Sequence, residues 1–327
     1  AVDAMGGDGS PKKVIDGIHH HFKNNKNSFY QIFGDKDKIL PHIKNNLSNS
    51  SFEIIHTLDI VKGTDSPLEG AKRGKNTSMW LAIQNVKEKK SDVVISAGNT
   101  GALLVISKLN LNMIENIDKP ALSALWPNKT GMSVVLDLGA NIECSPKNLI
   151  DFSIMGSSLF KSLYPNDNPK VALLNIGSEE LKGNEVIKET YQQLNKRDNH
   201  DFEFKGYIEG NQLMNGDVNV IVADGFTGNV ALKTAEGTAN FITGELKKAM
   251  TGSIIGKISS LLNISNLKKF KARLDPRLYN GAIFIGLDHP VIKSHGGTDY
   301  IGFSNSLSVC TKTVSGDLIE KIRNNIN

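Results

Sequence analysis

The chain has 327 residues, of which 39% are hydrophobic and 22% charged, with a net charge of +4. That is the balance of a globular protein, and no apolar run approaches the roughly 18 residues of a membrane span. The positive charge is local: eight lysines and arginines between Lys247 and Arg277 face Asp275 alone, and the rest of the chain is net negative. A basic footprint spread over the whole fold, as nucleic-acid binding requires, is excluded, and 6% aromatic content argues against base stacking. Cys144 and Cys310 match no metal or redox spacing. The first residues lack a charged-then-apolar leader pattern, so a cytoplasmic location is expected.

In chain order, the opening AVDAMGGDGSP places Asp3 and Asp8 around Gly6, Gly7 and Gly9. Ser10 as N-cap and Pro11 at the first helical position then predict a helix over 11–25. His19, His20 and His21 on it read as a solvated face. Strands are expected at 29–34, 52–57, 92–98, 132–139, 170–177, 218–225, 281–286 and 290–296. These segments are rich in Val and Ile and apolar throughout, the pattern of strands buried on both faces. Helices are expected at 75–89, 100–109, 146–163, 184–197, 226–250 and 297–325. Before the first of these, Gly70 and Gly74 should loosen the segment that carries Arg73 and Lys75. Alternation of strand and helix predicts an α/β fold with a doubly wound, mostly parallel sheet and flanking helices. No repeat or Pro/Ser-rich linker divides the chain, so 1–327 is expected to be one domain, with 247–277 a basic helical protrusion from it.

Several strands run into a Gly-containing polar loop that opens a helix: VISAGNTGALL, VVLDLGANIECSP, LLNIGSEELKGN, VADGFTGNVALK and IKSHGGTD. Ligands of open α/β sheets bind outside strand carboxyl ends, and helix N-termini there suit anions. One shared cleft for an anion is therefore expected. The named phosphate devices fail: Lys12 stands where G-x-G-x-x-G needs its last glycine, and no G-x-x-x-x-G-K-[ST], H-E-x-x-H or C-x-x-C occurs.

Together VDAMGGDGSP, SAGNTGALL, KPALSALWP, VVLDLGANIECSPKNLIDFSIMGS, LLNIGSEELKGN, DGFTGNVALKTAEG and VIKSHGG resemble, in order and over nearly the whole chain, the phosphate acyltransferases of bacterial phospholipid synthesis. The resemblance implies a fold similar to phosphotransacetylases and isocitrate/isopropylmalate dehydrogenases. It implies a transferase that makes acyl-phosphate from acyl-(acyl carrier protein) and inorganic phosphate without a cofactor. The product would feed a glycerol-3-phosphate acyltransferase. It also implies a homodimer with peripheral contact to the membrane. SHGGTD departs from the commoner AHGSSD while keeping Lys293 and His295.

Phosphate attack on a thioester needs an anion cradle and donors for the developing oxyanion; a thiolate leaves readily, so no enzyme nucleophile is required. Lys182, Asn229 and His295 are the catalytic candidates. The phosphate-binding candidates are Asp3, Gly6, Gly7, Asp8 and Gly9 at the opening, then Ser96, Gly98, Asn99 and Thr100, then Asn141. Further along they are Asn175, Gly183 and Asn184, then Asp224, Gly225, Thr227 and Gly228, and finally Lys293. Asn229 could equally be an N-cap. Asp3 and Asp8 repel an anion and are expected to orient Lys, Asn or backbone donors, with metal binding second. Cys144 as an acyl carrier is disfavoured. In the basic stretch, Ile254, Ile255, Ile258, Leu261 and Leu262 at helical spacing, beside Lys268 and Lys269, suit an anionic membrane surface or the acidic carrier protein. The competing readings are a short-chain phosphotransacetylase using coenzyme A, a nicotinamide-dependent decarboxylating dehydrogenase, and a non-catalytic phosphate- or lipid-sensing module. The dehydrogenase would need clustered aspartates for a metal, and Asp3, Asp8, Asp137 and Asp224 end different strands.

Overall fold

The computed structural model describes residues 1–44, 47–197, 201–253, 255, 259 and 261–326. Its elements are β1 (Val2–Asp3), α1 (Lys12–Phe22), β2 (Tyr30–Gly34), α2 (Lys36–Ile39), β3 (Phe52–His56), α3 (Pro67–Lys72), α4 (Ser78–Lys87), β4 (Val94–Ser96), α5 (Thr100–Asn110), β5 (Ala121–Pro127) and β6 (Met132–Leu136). They continue as α6 (Pro146–Leu163), β7 (Lys170–Asn175), α7 (Glu185–Asn195), β8 (Glu203–Glu209), β9 (Val220–Val222), α8 (Gly225–Thr251), α9 (Ile264–Arg273), β10 (Ala282–Ile285), β11 (Val291–Lys293), α10 (Tyr300–Ser315) and α11 (Leu318–Ile326). All strands join one eleven-stranded sheet in the order β3-β2-β1-β4-β11-β10-β5-β6-β9-β7-β8.

The sheet is mostly parallel, as expected, but β10 runs antiparallel to both β11 and β5, and β5 antiparallel to β6. Three reversals turn the β6–β9–β7–β8 half against the β3–β2–β1–β4–β11 half. β1, β5 and β8 escaped the sequence reading. β1 is only two residues long, β5 is framed by Pro120 and Pro127, and β8 is the polar, alternating strand at the sheet edge. The expected helix over 297–325 is two helices, broken at Asp317, whose φ is +50°.

Successive strand residues feed two cores, one per face. Ile95 packs with Ile15 and Ile18 of α1, Phe152 of α6 and Phe303 of α10. Its neighbour Val94 packs with Ala82 and Ile83 of α4 and Leu103 and Ile106 of α5, against which Ala231 and Leu232 of α8 lie. Two local expectations are corrected here. Gly70 does not loosen α3: it is buried, and a Cβ there would lie 2.7 Å from Ala102 Cβ, so it lets α3 dock on α5. Arg73 forks Asp65 instead of facing a ligand.

The histidine run is not a solvated face either. His19 and His21 are buried. His19 Nε2 accepts the Lys44 N–H at 3.1 Å, and His21 Nδ1 lies 2.7 Å from the Tyr30 hydroxyl. Burial, helped by His20, pushes His21 down to about 4. An unfolded imidazole titrates near 6.5, so between these values the unfolded chain binds the extra proton. Stability should therefore fall as pH drops from 6.5 to 4, by about 3 kcal/mol from this group. Urea unfolding across that window should show the slope, and His21→Gln should flatten it; a parallel slope in the variant contradicts the assignment. No helix among the described residues is long and apolar enough to cross a membrane.

Candidate active site

Because the sheet reverses, the carboxyl-end loops do not share one rim. Those after β1, β4 and β11 gather at one end of the strands; those after β6, β7 and β9 gather at the other. The loops expected to form one cleft therefore leave the sheet in two groups.

The first cluster is built around Asp3, at the end of a central strand and 2% exposed. Its carboxylate accepts the hydroxyls of Ser78 (2.7 Å) and Ser96 (2.6 Å) and the Met5 N–H (3.2 Å). Burial pushes its carboxyl up, while these donors and nearby Lys293 pull it back. Ser96 Oγ in turn accepts the Gly98 N–H at 3.0 Å. Gly6 and Gly98 touch backbone to backbone: a Cβ on Gly6 would lie 2.5 Å from Gly98 N. Gly7 has φ +82°, and a Cβ there would lie 2.8 Å from Ala97 O and 2.9 Å from Lys13 Nζ. Only glycine admits that approach. Gly9 (φ +69°) accepts the Lys13 N–H that starts α1. Ser10 is not the N-cap: its hydroxyl turns back to Gly6 O at 2.5 Å and closes the loop, and Pro11 takes the cap position.

Two lysines converge on this loop. Lys13 and Lys293 are 8% and 7% exposed. Lys13 Nζ donates to Gly296 O at 2.6 Å, and Lys293 Nζ donates to Ser294 O and reaches Ala97 O at 3.5 Å. Neither enters an ion pair among the described residues. Burial, then the charge of Lys13, holds Lys293 down at about 8; burial also lowers Lys13, against the pull of Asp8. Asp8 is tied by its N–H to Gly296 O at 2.9 Å. His295 is exposed; its Nδ1 accepts the Gly297 N–H at 3.2 Å, which leaves the ring proton on Nε2. Its pKa is lowered, by burial first and then by Lys293. Asn99 is the N-cap of α5, accepting from Ala102 N at 2.9 Å, and its amide donates to Asp65 O at 2.8 Å; Thr100 is the exposed first residue of that helix.

The second cluster is built on Asp137, fully buried just beyond β6. Its carboxylate accepts N–H groups from Leu122, Gly139, Ala140 and Asn141, and the Asn141 side-chain amide, at 2.8–3.1 Å. Asp224 caps α8 through the Thr227 N–H and hydroxyl, each at 2.8 Å. Asp224, not Asn229, is thus the cap, and Asn229 sits exposed in the next turn against Gly139. Gly225 and Gly228 are buried where α8 meets the backbone of Asn141 and Asp137. Asn184 caps α7, and Asn175 donates to Lys182 O at 3.1 Å beside Gly183 (φ +95°). These are the contacts of helix starts. Lys182 is exposed and sits in this second group of loops. The two clusters are linked by α8, which begins in the second and whose Glu236 and Lys233 come close enough to His295 to act on its charge. Asp3 and Asp8 fall in the first cluster, Asp137 and Asp224 in the second, and no metal-holding group of three or more His, Cys, Asp or Glu occurs among the described residues.

Cys144 is half-buried, and burial followed by the charge of Asp137 pushes its thiol up to about 11. In the basic stretch Ile255, Leu261 and Leu262 are 81%, 68% and 84% exposed, and Lys268 and Lys269 are exposed on α9. Ile254 and Ile258 lie outside the described residues. Lys13 and Ser78 were missed by the sequence reading. Lys13 had a signal: two consecutive lysines in the first turn of a helix oppose the helix dipole, and only Lys12 is offset locally, by Asp16 at 2.5 Å.

A mostly parallel α/β sheet with flanking helices is a fold shared with solved phosphotransacylases. The chain superimposes on a phosphotransacetylase from Streptococcus pyogenes with TM-score 0.59 at 14% identity, covering 94% of this chain and 91% of that one. For a branched-chain phosphotransacylase from Enterococcus faecalis V583 the values are 0.58, 14%, 96% and 98%. The family model described as fatty acid synthesis protein matches residues 1–321. A phosphate acyltransferase of Pelagibacter ubique (strain HTCC1062) is 88% identical over 100% of this chain and 98% of its own length, and one of Rhodospirillum rubrum is 43% identical over 100% and 93%. The chain belongs to the phosphate acyltransferase family and is an acyltransferase.

Proposed function

We propose that the protein transfers the acyl group of an acyl-(acyl carrier protein) to inorganic phosphate, giving acyl-phosphate and free carrier protein. The observation that carries this reading is the pair of buried lysines, Lys13 and Lys293, outside any described ion pair. A buried charge without a counter-ion is costly, and a phosphate dianion between the two ammonium groups offsets that cost. A phosphate oxygen attacks the thioester carbonyl, the carbon–oxygen bond forms, and the carbon–sulfur bond breaks as the thiolate leaves. His295 offers Nε2–H as a neutral donor toward phosphate or the oxyanion. Asp3 and Asp8 orient the donors; Ser96 and the Gly6–Gly98 contact shape the floor. Cys144, with its thiol held protonated, takes no part.

The exposed apolar residues and lysines around α9 support peripheral contact with an anionic membrane surface. On the same reading the protein acts as a homodimer and hands its product to a glycerol-3-phosphate acyltransferase.

Incubation with a long-chain acyl-carrier protein and phosphate, followed by hydroxylamine trapping, is expected to yield acyl-hydroxamate, undiminished in Cys144→Ser. Product from acetyl-coenzyme A alone would favour a short-chain phosphotransacetylase, and product from neither a non-catalytic module. A labelled acyl group trapped on the native enzyme, together with loss of activity in Cys144→Ser, would replace direct attack by a covalent route.

A further inference from the structure

The loop that carries His295 is held by a segment the mechanism does not use. In the β10–β11 ladder Ala282 faces Lys293, so continuing the register sets Asn280 opposite His295. The Asn280 side chain spans the gap: Oδ1 accepts the His295 N–H at 2.9 Å, and Nδ2 donates to Ser294 Oγ at 3.0 Å. Ser294 is fully buried, accepts the Ser306 hydroxyl at 3.1 Å, and its carbonyl accepts from Lys293 Nζ. One amide thus fixes the main chain between the lysine and the histidine. Gly302 of α10 makes room for it, since a Cβ there would lie 3.2 Å from Asn280 Nδ2.

The far end of the same loop is held by the same segment. Arg277 Nη1 donates to Asp299 Oδ2 at 2.9 Å, while its Nε and Nη2 fork Asp275. Asp299 Oδ1 caps α10 through the N–H groups of Ile301 (3.0 Å) and Gly302 (3.1 Å). Asn305 of α10 donates to Arg277 O at 2.8 Å.

We propose that Asn280 is a positioning residue for the anion site, setting the distance between Lys293 and His295, with Arg277 fixing the other end of the 294–299 loop. The inference rests on the reading of that site as the phosphate site. Its oxygen acceptors compete for the lysine protons, so a loop free to drift changes how many ammonium protons point at the anion.

The test measures inorganic phosphate affinity by calorimetry and the steady-state KM values for phosphate and acyl-carrier protein, in wild type, Asn280→Ala, Asn280→Asp and Arg277→Gln. At metal sites, loss of an outer partner that orients a ligand typically costs about 10- to 100-fold in affinity, and a loss of the same order is expected here. Asn280→Ala is expected to raise the phosphate Kd and KM by about that factor, with the KM for acyl-carrier protein unchanged. Asn280→Asp still accepts the His295 N–H but sets a carboxylate beside the anion, so it should keep the fold and the KM for acyl-carrier protein while the phosphate Kd stays raised; Arg277→Gln should show a smaller loss of the Asn280→Ala kind. An unchanged phosphate Kd in Asn280→Ala, or parallel loss for both substrates in Asn280→Ala and Asn280→Asp alike, overturns the positioning role. A wild type that binds phosphate but forms no acyl-phosphate defeats the proposed reaction and leaves the positioning role standing; a wild type that binds no phosphate defeats both.

Discussion

Lys13→Met and Lys293→Met are each expected to lower kcat/KM for phosphate by roughly 10²–10³-fold, about 3–4 kcal/mol of lost transition-state stabilisation. The same substitutions are expected to leave the fold intact and more stable at neutral pH. The reason is the sign of the Lys293 shift. Its ammonium is held down at about 8 in the folded protein, against about 10.4 in an unfolded chain. Below pH 8 both states are protonated, and the full cost of burying the charge is present. Between pH 8 and about 10.4 the folded form has lost its proton while the unfolded form keeps it, so the cost is relieved and stability rises with pH. Methionine removes that cost, about 3 kcal/mol, and flattens the rise. For activity the order reverses: the cation is needed, so wild-type kcat/KM for phosphate should fall about tenfold per pH unit above about 8. Activity down and thermal midpoint up in one variant is a signature that a merely structural lysine does not give. Variants that lose stability and keep their phosphate KM would overturn the site.

A second contrast lies along α8. Gly228 sits where the first turns of the helix press on the loop after β6; a Cβ there would penetrate the Asp137 carbonyl oxygen and lie 3.5 Å from Leu138 Cα. Backbone cannot rotate away as a side chain can, so Gly228→Ala must lift the helix start. That breaks the Gly225 N–H to Asn141 O bond of 2.8 Å and uncovers the core residues beneath. The expected loss is about 3 kcal/mol or more, which in a domain of this size lowers Tm by roughly 4–5 °C or more. Gly237, on the same helix, has nothing within 4 Å of its missing Cβ. Gly237→Ala should stabilise the protein by about 0.5–1 kcal/mol through helix propensity alone. Differential scanning calorimetry of the pair decides: equal shifts of the same sign would mean that α8 is not docked through Gly228.

Much of this architecture was legible before any coordinates. Runs such as VVLDL and VNVIV predict strands covered on both faces because an uninterrupted Val/Ile run has no solvent side to spare, and they form the buried β6 and β9. The helices expected over 146–163 and 226–250 are present, and the structure adds their caps, Ser145 and Asp224. Asp3 was expected to orient Lys, Asn or backbone donors; its carboxylate accepts the hydroxyls of Ser78 and Ser96 and the Met5 N–H. The strands and helices depend on residues within a few positions of one another, or on one face of one element, which is the range over which side-chain periodicity carries information; the Ser78 and Ser96 partners of Asp3 lie 75 and 93 residues away.

What the sequence could not carry is what depends on partners far along the chain. Strand direction is written in hydrogen bonds between strands, not in composition, so the antiparallel β10 and β5 read like any other apolar run. Their reversal sends the loops after β6, β7 and β9 to the opposite end of the strands from those after β1, β4 and β11, and α8 runs from one group to the other. His21 is buried because Tyr30 and Thr311 close over it, and Lys13 joins the proposed phosphate site only because Gly296, distant in sequence, brings its carbonyl alongside. Local chemistry determined which loops, caps and helices this chain makes; the non-local pairing of the sheet decided which charges meet, since a lone ammonium becomes a site only when folding desolvates it beside another.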